Sequence, residues 1–236
     1  WSPEQISGRL QKEDNGSISH EWIYQYVWAD KEDGGDLHKH LRAKSKYRKR
    51  YGSNDKRGKI KNRTSIEERP EVVDQKDRTG DWEADTMIGK NHKGALVTMV
   101  ERKNAYTLIG HVKRKTAKGV VEEQVKQLKP HKGKVLTITQ DNGKEFANHE
   151  KLAEELEVDV YFAHPYSSWE RGLNENTNGL FRQYFPKDRE LIDVKPEELE
   201  YAVNRLNHRP RKSLNYRTPH EAYFGTTERL TVALST

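Results

Sequence analysis

Between His38 and Arg63 the chain carries twelve lysines and arginines against one acid, Asp55, a balance of +11 within 26 residues. Like charges at this density repel one another. With Gly52, Ser53, Asn54 and Gly58 interleaved and almost no aliphatic side chains, the segment has nothing with which to build a core. The chain must therefore fold on either side of it. Over all 236 residues the formal charge is only +6, so the other 210 residues carry −5, and the basicity is a local device. Twelve cations with Tyr47 and Tyr51 among them suit a segment that tracks a nucleic-acid backbone better than one that fills an acidic protein groove. Lys46, Arg48, Lys49, Arg50, Lys56 and Arg57 are the candidate phosphate contacts. The plain alternative is a solvated linker without a partner.

Composition excludes several classes. Hydrophobic residues make up 32% and charged residues 34%, and no window approaches the ~18 consecutive apolar residues of a membrane span. The absence of cysteine removes disulfide scaffolds, thiolate metal sites and cysteine nucleophiles, and fits a cytoplasmic location. The first residue is Trp1, and no apolar run behind a basic head follows it. No signal peptide is expected, and the chain reads as part of something longer.

Ahead of the basic segment, Ser2, Pro3 and Gln5 compose a helix start with a capping box, and Trp1 and Ile6 have the spacing of a hydrophobic staple. A second start at Ser19 leads into Ile23, Tyr26 and Val27 at helical spacing. Two short helices with a turn between them suggest a helix-turn-helix, although a generic helical hairpin fits the pattern equally well.

Beyond about Arg78 the pattern changes. Strands are expected at 81–88, 95–100 and 106–112, then a helix at 117–128, a strand at 135–139, a helix at 144–156 and a strand at 158–162. Helices are expected at 172–185, 196–207 and 219–223. Three strands in succession indicate an antiparallel meander, and the whole order indicates a mixed α/β sheet flanked by helices. The expected organisation is a helical module at 1–37, a basic linker at 38–77 and a larger domain at 78–236.

Carboxylates stand where these elements end or begin. Asp85 lies in the first long strand, Asp141 directly follows the fourth in Thr139-Gln140-Asp141-Asn142-Gly143, and Glu175 falls in the first turns of a helix. Oxygen ligands of this kind suit Mg²⁺, and two such ions a few ångströms apart serve phosphodiester chemistry. Each acid also has a structural reading. Asp141-Asn142-Gly143 is turn chemistry, Glu175 complements a helix N-terminus, and Asp81, Glu83 and Asp85 share one strand face, so spacing alone leaves open which of them is the ligand.

Three stretches carry a resemblance: Gly80-Asp81-Trp82-Glu83-Ala84-Asp85; Thr139 to Phe146; and Pro165-Tyr166-Ser167-Ser168-Trp169-Glu170-Arg171-Gly172 followed by Asn174 to Leu180. Together they resemble the transposases of the bacterial insertion-sequence thirty family, within the DDE transposases and integrases. The opening Trp1 to Ile6 also looks like that family's second N-terminal helix-turn-helix. The resemblance implies a ribonuclease H-like core and a metal-binding triad of Asp85, Asp141 and Glu175, with 33 residues between the last two. It implies a basic residue on the catalytic helix at Arg182, seven positions beyond Glu175 and so about two turns along. Tyr166 and Trp169, in the loop before that helix, are candidates for stacking on bases near the cleavage point. His164 falls near the implied site, as a proton-transfer or DNA-contact candidate or as an ordinary loop histidine. Ala84 departs from the glycine expected before the first acid.

The implied activity is cleavage at the ends of a mobile element and joining of the freed 3′-hydroxyl to another phosphodiester, through a circular intermediate. The implied cofactor is Mg²⁺, with Mn²⁺ as substitute, two ions per site. The implied partners are double-stranded DNA, as terminal repeats and target, and a second or further copy of the chain, near the bacterial nucleoid and with no membrane or small-molecule cofactor. The rival readings are a ribonuclease H-type nuclease and a DNA-binding regulator without catalysis.

Overall fold

The computed structural model describes residues 1–14, 16–41, 60–165 and 167–227. Its described residues group into two compact units, one from Ile60 to Asn207 and the other combining the N-terminal helices with the segment from His208 onward.

In the larger unit the sheet is built outward from β2 (Asp81–Ile88). It pairs antiparallel with β3 (Ala95–Glu101), which pairs antiparallel with β4 (Thr107–Val112). On its other side β2 pairs parallel with β5 (Thr137–Gln140), and β5 pairs parallel with β6 (Asp159–Phe162). A two-residue strand, β1 (Thr64–Ser65), completes the order β1-β6-β5-β2-β3-β4. All seven residues of β3 are buried, as expected of a strand covered on both faces.

Helix α4 (Ala117–Leu128) starts at Thr116, whose hydroxyl accepts from the Gly119 N–H, and packs against β3, β4 and α5 (His149–Leu156). Helices α6 (Gly172–Phe181) and α7 (Pro196–Asn207) close another part of the sheet. Met87 and Leu96, cross-strand partners, meet Leu180, Phe181, Phe185, Leu191, Ala202 and Leu206 there. Each such large side chain contributes about 1.5–3 kcal/mol by leaving water. This apolar cluster fixes α6 against β2, and that contact positions the site.

Most expected elements are present; the differences have local causes. The helix expected over 144–156 is a 3₁₀ turn at Lys144–Phe146 followed by α5, because the chain turns at Asn148 after burying Phe146. The helix expected to reach Phe185 ends at Phe181, where a tight turn carries Phe185 back into the core beside it. The stretch 60–77, expected as linker, holds β1 and a short helix α3 (Val72–Gln75). Two residues of strand show no period, so these elements leave no pattern to read.

The smaller unit contains α1 (Pro3–Lys12), with the capping box between Ser2 and Gln5 in place, and α2 (His20–Glu32), capped by Ser19. The expected apolar stripe of α2 buries only Val27; Trp22, Tyr24, Tyr26 and Trp28 are exposed. The residues from His208 to α8 (Pro219–Phe224), expected with the larger domain, group instead with α1. Arg9 explains the difference. Its buried guanidinium forks onto the buried Glu221 carboxylate at 2.7 and 2.9 Å, and Gly8 leaves room for the Tyr216 ring, which a Cβ would meet at 2.3 Å. Pairings between residues some two hundred positions apart are invisible to local periodicity.

Candidate active site

Strand register brings the first two acids together. In the parallel pair, Asp81 stands opposite Thr137 and Glu83 opposite Thr139, so continuing the register by two places sets Asp85 beside Asp141. Neighbouring strands are about 4.8 Å apart. Both acids line one cleft of 590 Å³, with Thr86, Lys115, Lys144 and Glu145 around it. Asp141 directs one carboxylate oxygen to the Gly143 N–H at 2.8 Å, so the turn chemistry is real, and its other oxygen faces Arg171 at 3.8 Å. The side chain of Asn142 anchors the same loop by donating to the Ala163 carbonyl.

The three acids on the face of β2 have separate surroundings. Asp81 accepts a fork from Arg78, both bonds at 2.9 Å, and the Thr137 hydroxyl at 2.8 Å. Glu83 is buried, paired with Arg102 at 2.9 Å, and accepts the Asn174 N–H at 2.9 Å, so it holds the first turn of α6. Burial pushes its carboxyl up, against the pull of Arg102. Of the three, Asp85 lines the cleft.

Asp85 is gripped from three directions. The Thr86 N–H donates to one oxygen at 2.7 Å; the Asn178 side-chain amide donates to the other at 3.0 Å, and Arg171 approaches that same oxygen at 3.4 Å. Burial pushes its pKa up to about 6, Arg171 opposes the rise, and Asp141 adds to it. A raised acid pKa means that the carboxylate becomes fully ionised only well above pH 6, so a cation held there would be held more strongly as pH rises through that value.

Glu175 is exposed in the first turn of α6. Asn178 follows it by three positions on the same helix, a spacing that places the two on one face, while Arg171 stands just ahead of α6 with a non-helical backbone. Asn178 and Arg171 both touch Asp85. Among the described residues no three of histidine, aspartate and glutamate already stand together as a metal cage. The donor chemistry nevertheless fits a hard divalent ion, since two carboxylates share one cation within 4 Å and Mg²⁺ takes few protein ligands, keeping water or phosphate for the rest.

The other expected contacts divide. Arg182 is the C-cap of α6, and its guanidinium donates to the carbonyls of Ile88 at 3.1 Å and Phe185 at 3.4 Å, so it ties the helix end to β2; burial lowers its pKa. Trp169 is 74% exposed and is not a packing residue. His164 sits between two acids, 2.8 Å from Glu170 and 3.2 Å from Glu67. Tyr166 and the cations Lys46, Arg48, Lys49, Arg50, Lys56 and Arg57 lie outside the described residues.

Four residues at the cleft went unread in the sequence. Asn178 could have been found from its i+3 spacing from Glu175; Arg171 lies outside the helix. Lys115 and Glu145 left no such signal: they meet at 2.6 Å from different loops, with the Thr86 hydroxyl on the same carboxylate at 2.9 Å. Burial alone would raise the Glu145 pKa, but these two partners hold it below the usual range.

A mixed sheet with one acid within its central strand, a second just past the end of the parallel neighbour, and a helix packed on β2 and β3 defines a ribonuclease H-like fold. Residues 76–168 match the sequence family described as Integrase core domain. A solved chain of the simian T-cell lymphotropic virus intasome in complex with PP2A regulatory subunit B56 gamma shares the fold at a TM-score of 0.52, with 21% identity over 65% of this chain and 56% of that one. The transposase for insertion sequence element IS4351 of Bacteroides fragilis is 49% identical over 224 residues, 94% of this chain and 69% of the relative. Transposase InsI for insertion sequence element IS30A of Escherichia coli K12 is 36% identical over 94% of this chain and 60% of the relative. The chain belongs to the insertion-sequence thirty family of transposases, and it spans 60 to 69% of the length of these two members. No helix among the described residues is long and apolar enough to cross a membrane.

Proposed function

We propose that this chain cleaves the ends of a mobile DNA element and joins the freed 3′-hydroxyl to another phosphodiester, the joined ends passing through a circular intermediate. The supporting observation is the placement of Asp85 beside Asp141, within reach of one cation and next to the helical stripe that carries Glu175. These three acids are the proposed ligands. Bound Mg²⁺, or Mn²⁺ in its place, two ions per site, would activate the attacking oxygen and neutralise the transferring phosphate.

The chain's own residues orient the reaction. Thr86 and Asn178 hold the Asp85 carboxylate, Gly143 holds that of Asp141, and the Glu83 carboxylate fixes the start of α6. Lys115 and Lys144 at the cleft wall supply positive charge for a DNA phosphate. Trp169, exposed in the loop before α6, is suited to stack on a base beside the scissile bond. The +11 segment, with Lys46, Arg48, Lys49, Arg50, Lys56 and Arg57, would follow the duplex, and the helices α1 and α2 would act as a DNA-binding module. Joining two ends calls for at least two copies of the chain on double-stranded DNA, in the bacterial cytoplasm where that DNA lies.

The test is strand cleavage of DNA carrying the element ends. Asp85→Asn, Asp141→Asn and Glu175→Gln should each abolish cleavage while leaving end binding in place. Full cleavage by any one of them removes that residue from the triad.

A further inference from the structure

Arg171 has no role in the scheme above, yet it touches both cleft acids. It directly precedes α6, and its side chain is 10% exposed. One terminal nitrogen lies 3.4 Å from Asp85, the other 3.8 Å from Asp141, and the first also donates to the Ala84 carbonyl at 3.3 Å. Its Nε is buried without a hydrogen-bond partner.

Other arginines of the chain show what a permanent tie looks like. Arg9 meets Glu221 at 2.7 and 2.9 Å, Arg78 meets Asp81 at 2.9 Å twice, and Arg102 meets Glu83 at 2.9 Å. Those are the lengths of charge-assisted forks, about 2.7–2.9 Å. Arg171 makes no such fork. It stands between two carboxylates at longer range, held by charge, with one donor left unsatisfied. A buried donor without an acceptor costs about 1–3 kcal/mol, so this arrangement is poorly optimised as a fixed structural element. The guanidinium occupies a position from which a single cation reaches both acids.

We infer that Arg171 is a stand-in cation: it neutralises the Asp85–Asp141 pair while no divalent ion is bound, and a divalent ion displaces it on binding. The inference rests on the proposed metal site. Two carboxylates on adjacent strands would otherwise repel each other, so the arginine keeps the pair assembled in the resting protein and sets a threshold for metal entry. The movement required is small, because the next residues begin α6 and only the side chain has to turn away. The charge that leaves the acids stays beside the cleft, where an incoming DNA phosphate can take it.

The test is Mn²⁺ binding to the DNA-free chain, followed by the electron paramagnetic resonance signal of free Mn²⁺. Removing the cation that competes for the two acids should tighten binding by Arg171→Met on the order of tenfold. Arg171→Lys should fall between that variant and the wild type, and Asp85→Asn should lose the site. Unchanged or weaker binding by Arg171→Met, with binding still lost in Asp85→Asn, overturns the role of Arg171 and leaves the metal site standing. Binding indifferent to Asp85→Asn overturns both. Should Arg171→Met fail to fold, the wild type carries the test. On Mg²⁺ titration the Arg171 Nε–H proton should lose its protection from solvent exchange with the midpoint of metal binding, and a proton that stays protected at saturating Mg²⁺ overturns the inference.

Discussion

The side-chain amide of Asn178 donates to the Asp85 carboxylate at 3.0 Å, while its own carbonyl lies 2.8 Å from the Thr98 hydroxyl. One residue thus joins α6 to two strands of the sheet and aims the carboxylate at the same time. Partners behind a metal ligand commonly matter by about 10- to 100-fold. Asn178→Ala should therefore slow metal-dependent cleavage by roughly that factor, with little change in melting temperature. Asn178→Asp should be worse, because it sets a second negative charge against Asp85. Single-turnover cleavage and a thermal melt on the same samples check both.

Glu83 shares its strand face with Asp85, and its surroundings give it a structural role. Its removal leaves the buried Arg102 guanidinium with only the longer contact to Asp74 at 3.5 Å and the Val73 carbonyl at 3.1 Å, and takes the acceptor from the Asn174 N–H. Breaking a buried pair from one side costs about 3–5 kcal/mol. Glu83→Ala should lower unfolding stability by that order, read as a drop in denaturant midpoint. Asp85→Asn should not.

Trp169 offers the opposite separation. With 74% of its surface exposed, Trp169→Ala should change stability by no more than about 0.5 kcal/mol. Loss of a stacked base should weaken binding of DNA with unpaired ends by about 1–3 kcal/mol. Equal affinity of the two proteins for such DNA would remove the stacking role.

His164 gives a pH signature. Hydrogen bonding and charge from Glu170, with a smaller share from Glu67, raise its pKa above the ordinary 6.5. A raised histidine pKa means that the tie to Glu170 is at full strength below pH 6.5 and is lost as pH rises through the higher folded value. The His164 ring resonances should titrate with a midpoint above 6.5, and Glu170→Gln should bring that midpoint down.

The strands and helices with a clear period were legible. The meander of β2, β3 and β4, helix α4 and helix α7 stand where alternation and helical spacing put them. The cleft position of Asp85 was not legible from its strand, because period two treats Asp81, Glu83 and Asp85 alike; what separates them is the company each keeps. Their partners Arg78, Arg102 and Asn178 come from a preceding loop, a following turn and a distant helix. The exposed ring of Tyr26 shows the same limit from the other side. Helical spacing set it on one face with Ile23 and Val27, yet spacing records only a face, and whether that face is covered depends on elements elsewhere in the chain.

The fork between Arg9 and Glu221 has a consequence for how the protein can be cut. Because the segment from His208 to Phe224 belongs with α1, the catalytic unit is, topologically, an insertion within the smaller one, entered and left through two crossings of the chain. A truncation after Asn207 would spare the sheet and its cleft but strip the N-terminal helices of their partner. Isolating those helices therefore calls for a splice that joins them directly to the C-terminal segment.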